Sequence, residues 1–162
     1  MRRTAVAALE AGASRVVVVL GANAATIAPA LVGLTSVAIV VNPHWESGLA
    51  SSLVAGLSAL FADDSCDAVL VTLADQPLVD GAALRRLVTA FDDGHRIVAS
   101  AYDDTIGVPA VFGREHFNDL LRLKGDRGAG SWLRARQNEV TRVPLYSAAL
   151  DIDIPSDVAR LR

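Results

Sequence analysis

Apolar positions along the chain fall into two alternating patterns. One is the short unbroken run, as in VVVVL at 16–20, VAIVV at 37–41 and VLVTLA at 69–74. Such runs are the pattern of strands buried on both faces. The other pattern recurs every three or four residues. Leu49, Leu53, Leu57 and Leu60 recur in this way and predict a helix over 48–61, and Val6 with Leu9 predicts one over 2–11 capped by Gly12. Asp80 is placed to cap a helix over 81–91, and Pro29 limits a short one over 24–31. Further strands are predicted at 96–101, 108–112 (a shorter one) and 140–143, with helices over 114–123, from the glycine-rich turn at 124–130 to about 137, and at the end of the chain. Strands alternating with helices predict one α/β domain over residues 1–162, built on a mainly parallel sheet with helices on both faces.

Composition narrows the picture. Hydrophobic residues make up 52% and charged residues 20%, which excludes a disordered chain. A net charge of −3 offers no basic face to nucleic acid or to an anionic membrane. Every apolar run is interrupted well short of the roughly 18–20 residues of a membrane span, and Arg2 and Arg3 precede an Ala-rich amphipathic stretch rather than a signal sequence. The expected location is the cytoplasm. Cys66 is the only cysteine, so it forms neither an internal disulfide nor a thiolate metal cage, and it reads as a spectator thiol. The three histidines lack metal-ligand spacing, and there is no GxSxG elbow and no Walker A loop.

Four stretches could carry chemistry. In VLVTLADQP, Asp75 stands at the carboxyl end of a central strand, the rim where open α/β sheets bind ligands, and Pro77 ends the ladder. Taken alone, Asp75 reads equally as a turn opener. In DIDIP, Asp151 and Asp153 alternate on one face of an extended segment; together with a distant carboxylate they suit Mg²⁺, and alone they also suit a helix N-terminus. In NPHWESGLASSL, Gly48 permits close backbone approach, while Ser51 and Ser52 lie in the first helical turn, where N–H groups and hydroxyls can meet a ligand. The plainer reading is an ordinary helix start with Trp45 packed on the surface. In GVPAVF and KGDRGAG, glycine backbone lies beside a strand or helix end.

The runs GASRVVVVLGA, NPHWESGLASSL, VLVTLADQP, GVPAVF, LKGDRGAG and DIDIPSDV, in this order, resemble the MobA-like nucleotidyltransferases, in particular the molybdenum cofactor cytidylyltransferase branch. The resemblance spans nearly the whole chain. It implies a three-layer Rossmann-like sheet, the nucleotide-diphospho-sugar transferase fold, and Mg²⁺-dependent transfer of CMP or GMP from a nucleoside triphosphate to molybdopterin cofactor with release of pyrophosphate. CTP is preferred over GTP on this resemblance alone, and a molybdoenzyme or its chaperone is an implied partner. Asp75 matches the family's metal aspartate, and Asp153, beside Asp151, matches its second acidic position. Gly48, Ser51 and Ser52 match the nucleotide side; Gly107, Pro109, Gly125 and Gly128 match the acceptor side. Ile154 replaces the family's usual threonine. The family's first strand and its glycine-rich loop, roughly LAAGxSxRxGxxK, have no counterpart in these residues. That strand lies between those at 16–20 and 69–74, so the expectation is that the protein is longer than these residues, that other chain fills the slot, or that this is a degenerate homologue. The expectation for the chain as written is weak catalysis. Two other functions compete: a non-catalytic module binding nucleotide or molybdopterin, and a sugar-phosphate nucleotidyltransferase.

Overall fold

Six strands and six α-helices make up the residues described in the computed structural model, which are 1–61 and 66–150. In chain order the elements are α1 (Arg2–Glu10), β1 (Val16–Leu20), α2 (Ala24–Ile27), β2 (Val37–Val41), α3 (Leu49–Leu60) and β3 (Ala68–Val71). They continue with α4 (Gly81–Asp92), β4 (Ile97–Tyr102), β5 (Thr105–Gly113), α5 (Phe117–Leu121), α6 (Ala129–Ala135) and β6 (Thr141–Pro144). Asp80 caps α4 as its sequence predicts: its carboxylate accepts from the Ala83 N–H at 2.8 Å.

The strands form two ladders. β1 and β2 pair in parallel, from Val16 opposite Val37 to Leu20 opposite Val41. The second ladder runs β3-β5-β4-β6, in which β5 is antiparallel to both neighbours and β4 is parallel to β6. β3, β4 and β6 therefore share one direction, and β5 alone runs against them. Among the described residues no strand joins β1 to β3. The break falls where the family resemblance places its additional central strand.

Alternation along the second ladder sends side chains to two helical layers. Val69, Ile97, Ala99, Ile106, Ala110 and Phe112 pack towards α3, α5 and α6, in a cluster with Leu57, Phe117, Leu120, Trp132 and Leu133. Val98 and Val111 face the opposite side, towards α1 and α4, with Ala7, Ala8, Ala11, Leu84 and Leu87. The result is the expected α/β three-layer arrangement.

Both ladders share helices. Ala5 of α1 packs with Val18 and Leu20 of β1, while Ala7, Ala8 and the adjoining Ala11 pack against α4 and the second ladder. α3 likewise spans both, with Gly56 against Val19 of β1 and Leu57 in the cluster under β3 and β5. The Arg15 guanidinium, just before β1, donates to the carbonyls of Ala59 at 3.3 Å and Leu60 at 2.5 Å, satisfying the end of α3 with a positive group.

Several elements depart from their expected bounds. The predicted short strand at 108–112 is a nine-residue strand starting at Thr105, because Asp103 and Asp104, both at positive φ (47° and 58°), make a two-residue hairpin that the chain pattern does not announce. The predicted helices at 24–31 and 114–123 are each split between an α-helical and a 3₁₀ segment. The buried face of α1 is formed by Ala5, Ala7 and Ala8 rather than by Val6 and Leu9, since α4 approaches too closely for larger side chains.

That approach is testable at Gly81, where an added Cβ would lie 2.6 Å from Glu10 Cβ and 3.3 Å from the Ala7 carbonyl oxygen. Gly81→Ala is expected to force α1 and α4 apart and destabilise the protein by about 1–3 kcal/mol. A thermal melt should show a Tm several degrees lower.

Candidate functional site

The candidate residues assemble at two places, each organised by a buried polar side chain. The first lies at the carboxyl ends of β1 and β2. Asn42 follows β2, is buried, and donates its backbone N–H to the Leu20 carbonyl at 2.8 Å, so it completes the ladder. Its side-chain amide donates from Nδ2 to Ser51 Oγ at 2.8 Å and to Ser52 Oγ at 3.0 Å, while Oδ1 accepts from the His44 N–H at 2.9 Å. One side chain thus ties the strand end to the first turn of α3.

The two serines are left chemically different. Ser51 Oγ can donate to the His44 carbonyl at 3.0 Å or the Gly48 carbonyl at 2.9 Å, so its proton is committed within the loop. Ser52 Oγ accepts from Asn42 and meets no acceptor among the described residues, so its O–H is available to a ligand.

Gly48 joins this segment to the glycine-rich turn. Its φ of +105° with ψ of 170° is a conformation that only glycine adopts readily. An added Cβ would lie 2.5 Å from the Gly125 carbonyl oxygen and 2.7 Å from Asp126 Oδ1. The Ala50 N–H donates to the same Gly125 carbonyl at 3.0 Å. A Cβ on Gly128 would lie 2.5 Å from Leu49 Cδ2. Gly48, Ser51 and Ser52 are therefore brought together with Gly125 and Gly128. Trp45 packs its Cβ and ring against Gly21 at the end of β1, where a Cβ would come within 2.6 Å, so it closes the strand end rather than lying loosely on the surface.

The second place is built around Gln76 and the start of GVPAVF. β3 ends at Val71, and the chain then carries Asp75, half-buried with its Oδ1 atom screened from solvent. Gln76 is 2% exposed and donates from Nε2 to the carbonyls of Val108 at 3.2 Å and Ala148 at 2.9 Å. The Val108 carbonyl also accepts from the Tyr102 hydroxyl at 3.3 Å, and the next carbonyl, that of Pro109, accepts from the buried Ser100 hydroxyl at 2.7 Å. Three side chains from two segments, Gln76 after β3 and Ser100 and Tyr102 of β4, thus hold two consecutive carbonyls. Gly107 is required beside them because a Cβ there would lie 2.5 Å from the Tyr102 oxygen. Asp75 is accordingly brought near Gly107 and Pro109 through its neighbour Gln76.

Asp151 and Asp153 lie outside the described residues, although Ala148, held by Gln76, precedes Asp151 by only a few residues. Among the described residues no group of three or more His, Cys, Asp or Glu could hold a metal. A cavity of about 610 Å³ between α1 and the start of α4, with Arg2, Arg3, Glu10 and Asp80 in its wall, contains none of the candidate residues. No helix among the described residues is long and apolar enough to cross a membrane.

Sequence reasoning missed Asn42, Ser100 and Tyr102. Asn42 reads as a strand terminator before Pro43. Ser100 had one available signal, a small polar residue in the middle of the apolar run IVASA. The His116 ring packs edge-on against Trp132 at 5.4 Å.

An α/β domain with hydroxyls and glycine turns gathered at one strand end, and a carboxylate just past the end of another strand, has the frame of a nucleotide-handling transferase. Residues 1–140 match the MobA-like NTP transferase domain, and the chain belongs to that family. It is 36% identical over 164 aligned residues to a nicotine blue oxidoreductase of Paenarthrobacter nicotinovorans, covering 94% of this chain and 78% of that one. Two solved structures are also similar. A nucleotidyl transferase of Methanothermobacter thermautotroptrophicus is 28% identical, with a TM-score of 0.78 over 99% of this chain and 77% of that one. Rv0371c of Mycobacterium tuberculosis H37Rv, in a complex with manganese, is 28% identical, with a TM-score of 0.73 over 96% of this chain and 81% of that one.

Two outcomes test the geometry. Gly48→Ala should destabilise the protein by about 1–3 kcal/mol through strain and overlap with the 125 carbonyl. Gly12→Ala, at a φ of +107° with no atom within 4 Å, should show only the strain. Equal Tm losses in the two variants would refute the close approach. Burial pushes the Cys66 thiol up from its ordinary value, against smaller lowering contributions from the Ala68 backbone and the Arg15 and Arg114 guanidinium groups. Its alkylation by iodoacetamide should therefore be slower than that of a free cysteine at pH 8 and rise more steeply above it.

Proposed function

We propose that the protein catalyses metal-dependent transfer of a nucleotidyl group from a nucleoside triphosphate to the terminal phosphate of molybdopterin cofactor. Asp75 carries this reading: a carboxylate just past the end of a sheet strand, partly screened from water and adjacent to an amide that holds the opposite loop, in a chain of the NTP transferase family.

The donors around Asp75 fit a hard divalent cation. Asp75 Oδ1 and Thr72 Oγ1 are buried oxygens, and the stretch 69–77 holds neither sulfur nor imidazole. Asp75, with Asp153 and Asp151, would hold Mg²⁺ or Mn²⁺, and the manganese complex of Rv0371c supports such a use of this fold. The ion would supply charge neutralisation on the triphosphate.

The residues of the chain then divide the work of positioning. Gly48 lets the triphosphate approach the backbone, and the Ser52 O–H donates to it while Asn42 keeps both serines in register. Gly107, Pro109 and the Gly125–Gly128 turn border the acceptor. An acceptor phosphate oxygen attacks the α-phosphorus, and the bond from that phosphorus to the bridging oxygen breaks with pyrophosphate as leaving group. No protein nucleophile is needed, so orientation and charge compensation provide the acceleration. CTP is the proposed nucleotide, the cytoplasm the proposed location, and a molybdoenzyme or its chaperone the proposed recipient.

The nicotine blue oxidoreductase relative favours a second reading, in which the nucleotide segment holds an electron-carrying dinucleotide that reduces an organic acceptor. The two readings separate in one set of assays. Pyrophosphate release from CTP or GTP should require a divalent ion and fall by about 100-fold or more in Asp75→Asn. Oxidation of a reduced nicotinamide dinucleotide without pyrophosphate release would favour the second reading, and full transferase activity in Asp75→Asn would refute the first.

A further inference from the structure

Gln76 links three segments that are far apart in the chain. Its backbone follows Asp75 directly, and its Nε2 donates to Val108, between Gly107 and Pro109, and to Ala148, a few residues before Asp151 and Asp153. We propose that Gln76 is the positioning residue for the metal-dependent reaction: it fixes the spacing between the Asp75 carboxylate, the unpaired stretch of β5 at Val108 and the chain at Ala148.

Three observations favour this role over simple core packing. First, Gln76 is 2% exposed and its Oε1 is buried with no hydrogen-bond partner. A position selected only for stability would pair that oxygen or replace the amide with an apolar side chain. Second, neither acceptor is a paired ladder group: Val108 lies in the stretch of β5 that the register shift between Ala99 and Ser100 leaves unpaired, and Ala148 lies beyond β6, so the two hydrogen bonds set the place of these segments and not the pairing of strands. Third, the Val108 and Pro109 carbonyls receive further donors from Tyr102 and Ser100, so the segment that Gln76 grips is itself anchored to β4. Moving Gln76 therefore moves Asp75 relative to a fixed wall.

Positioning of this kind acts through the ligands it orients. Loss of a residue that orients metal-binding groups typically weakens metal affinity or activity by about 10–100-fold. A purely structural loss would lower thermal stability and leave metal affinity per folded molecule unchanged.

The proposal rests on the nucleotidyltransferase reading, and its test distinguishes the two. Gln76→Met keeps the length of the side chain and removes both donors; Gln76→Glu keeps its shape and turns a carboxylate towards two carbonyls. Each variant and the wild type would be titrated with Mn²⁺ in the presence of CTP, with free Mn²⁺ followed by electron paramagnetic resonance. Hydrogen exchange at 106–110 and 146–150, and kcat and KM for pyrophosphate release, complete the set. Folded Gln76→Met should bind Mn²⁺ about tenfold more weakly, with exchange rising in both loops together and kcat falling far more than KM for the nucleotide. Gln76→Glu should be at least as impaired. Unchanged Mn²⁺ affinity in folded Gln76→Met beside a wild type that binds normally would overturn the role of Gln76 alone. A wild type that binds no Mn²⁺ would overturn the metal-dependent reading and this role with it.

Discussion

A polar side chain taken out of water has to find its partners inside the protein, and three such side chains decide how the rim of this domain is built. Asn42, Gln76 and Ser100 are the buried polar residues named among the described core. Each spends its donors on groups that no ladder or helix would otherwise hold: two serine hydroxyls, the Val108 and Pro109 carbonyls in the unpaired stretch of β5, and the Ala148 carbonyl. An apolar core can move a loop by an ångström at little loss. A buried amide with two short hydrogen bonds cannot, because displacement leaves it unsatisfied. The stiffness of the candidate site comes from these few polar contacts and not from the bulk of the core.

The chain pattern reveals the layers better than the connections. Uniform apolar runs identify β1, β2 and β3 and the leucine spacing identifies α3, because burial on both faces or on one stripe is a local property. The extent of β5 is not local. Thr105 to Gly107 join that strand only because the Asp103–Asp104 hairpin folds them onto β4, and neither aspartate announces a left-handed turn as Asn-Gly would. The candidate site was legible to a similar degree. Asp75, Gly48 and the serines stand out through residue type and position at element ends. Asn42 and Gln76 do not, since an amide that bridges two segments looks, in sequence, like any turn residue. Their roles depend on contacts 9 and 72 positions away, respectively.

Among the described residues the two ladders are held together by helices and not by strand pairing. α1 and α3 each lie across both, and Arg15 ties the end of α3 to the start of β1. This places the Asn42 cluster and the Gln76 cluster on separate ladders, joined through α3 and the glycine-rich turn that packs against its first residues. Relative motion of the ladders would thus be read directly as a change in spacing between the serine hydroxyls and Asp75. α1, which bears on both, is the natural place from which such a change is resisted.

The alanine face of α1 has a consequence for how this protein can vary over evolutionary time. Ala7, Ala8 and Ala11 fill a contact in which the neighbouring helix begins with a glycine set against Glu10 and the Ala7 carbonyl. Almost any larger side chain there requires a compensating reduction on the other helix, and glycine allows none. The exposed positions of β2, Ile39 and Val41 among them, carry no such debt and can change singly. Drift should therefore be fast on the outer strand and slow on a helix that touches none of the reacting groups, so the most constrained surface of the molecule is one that performs no chemistry.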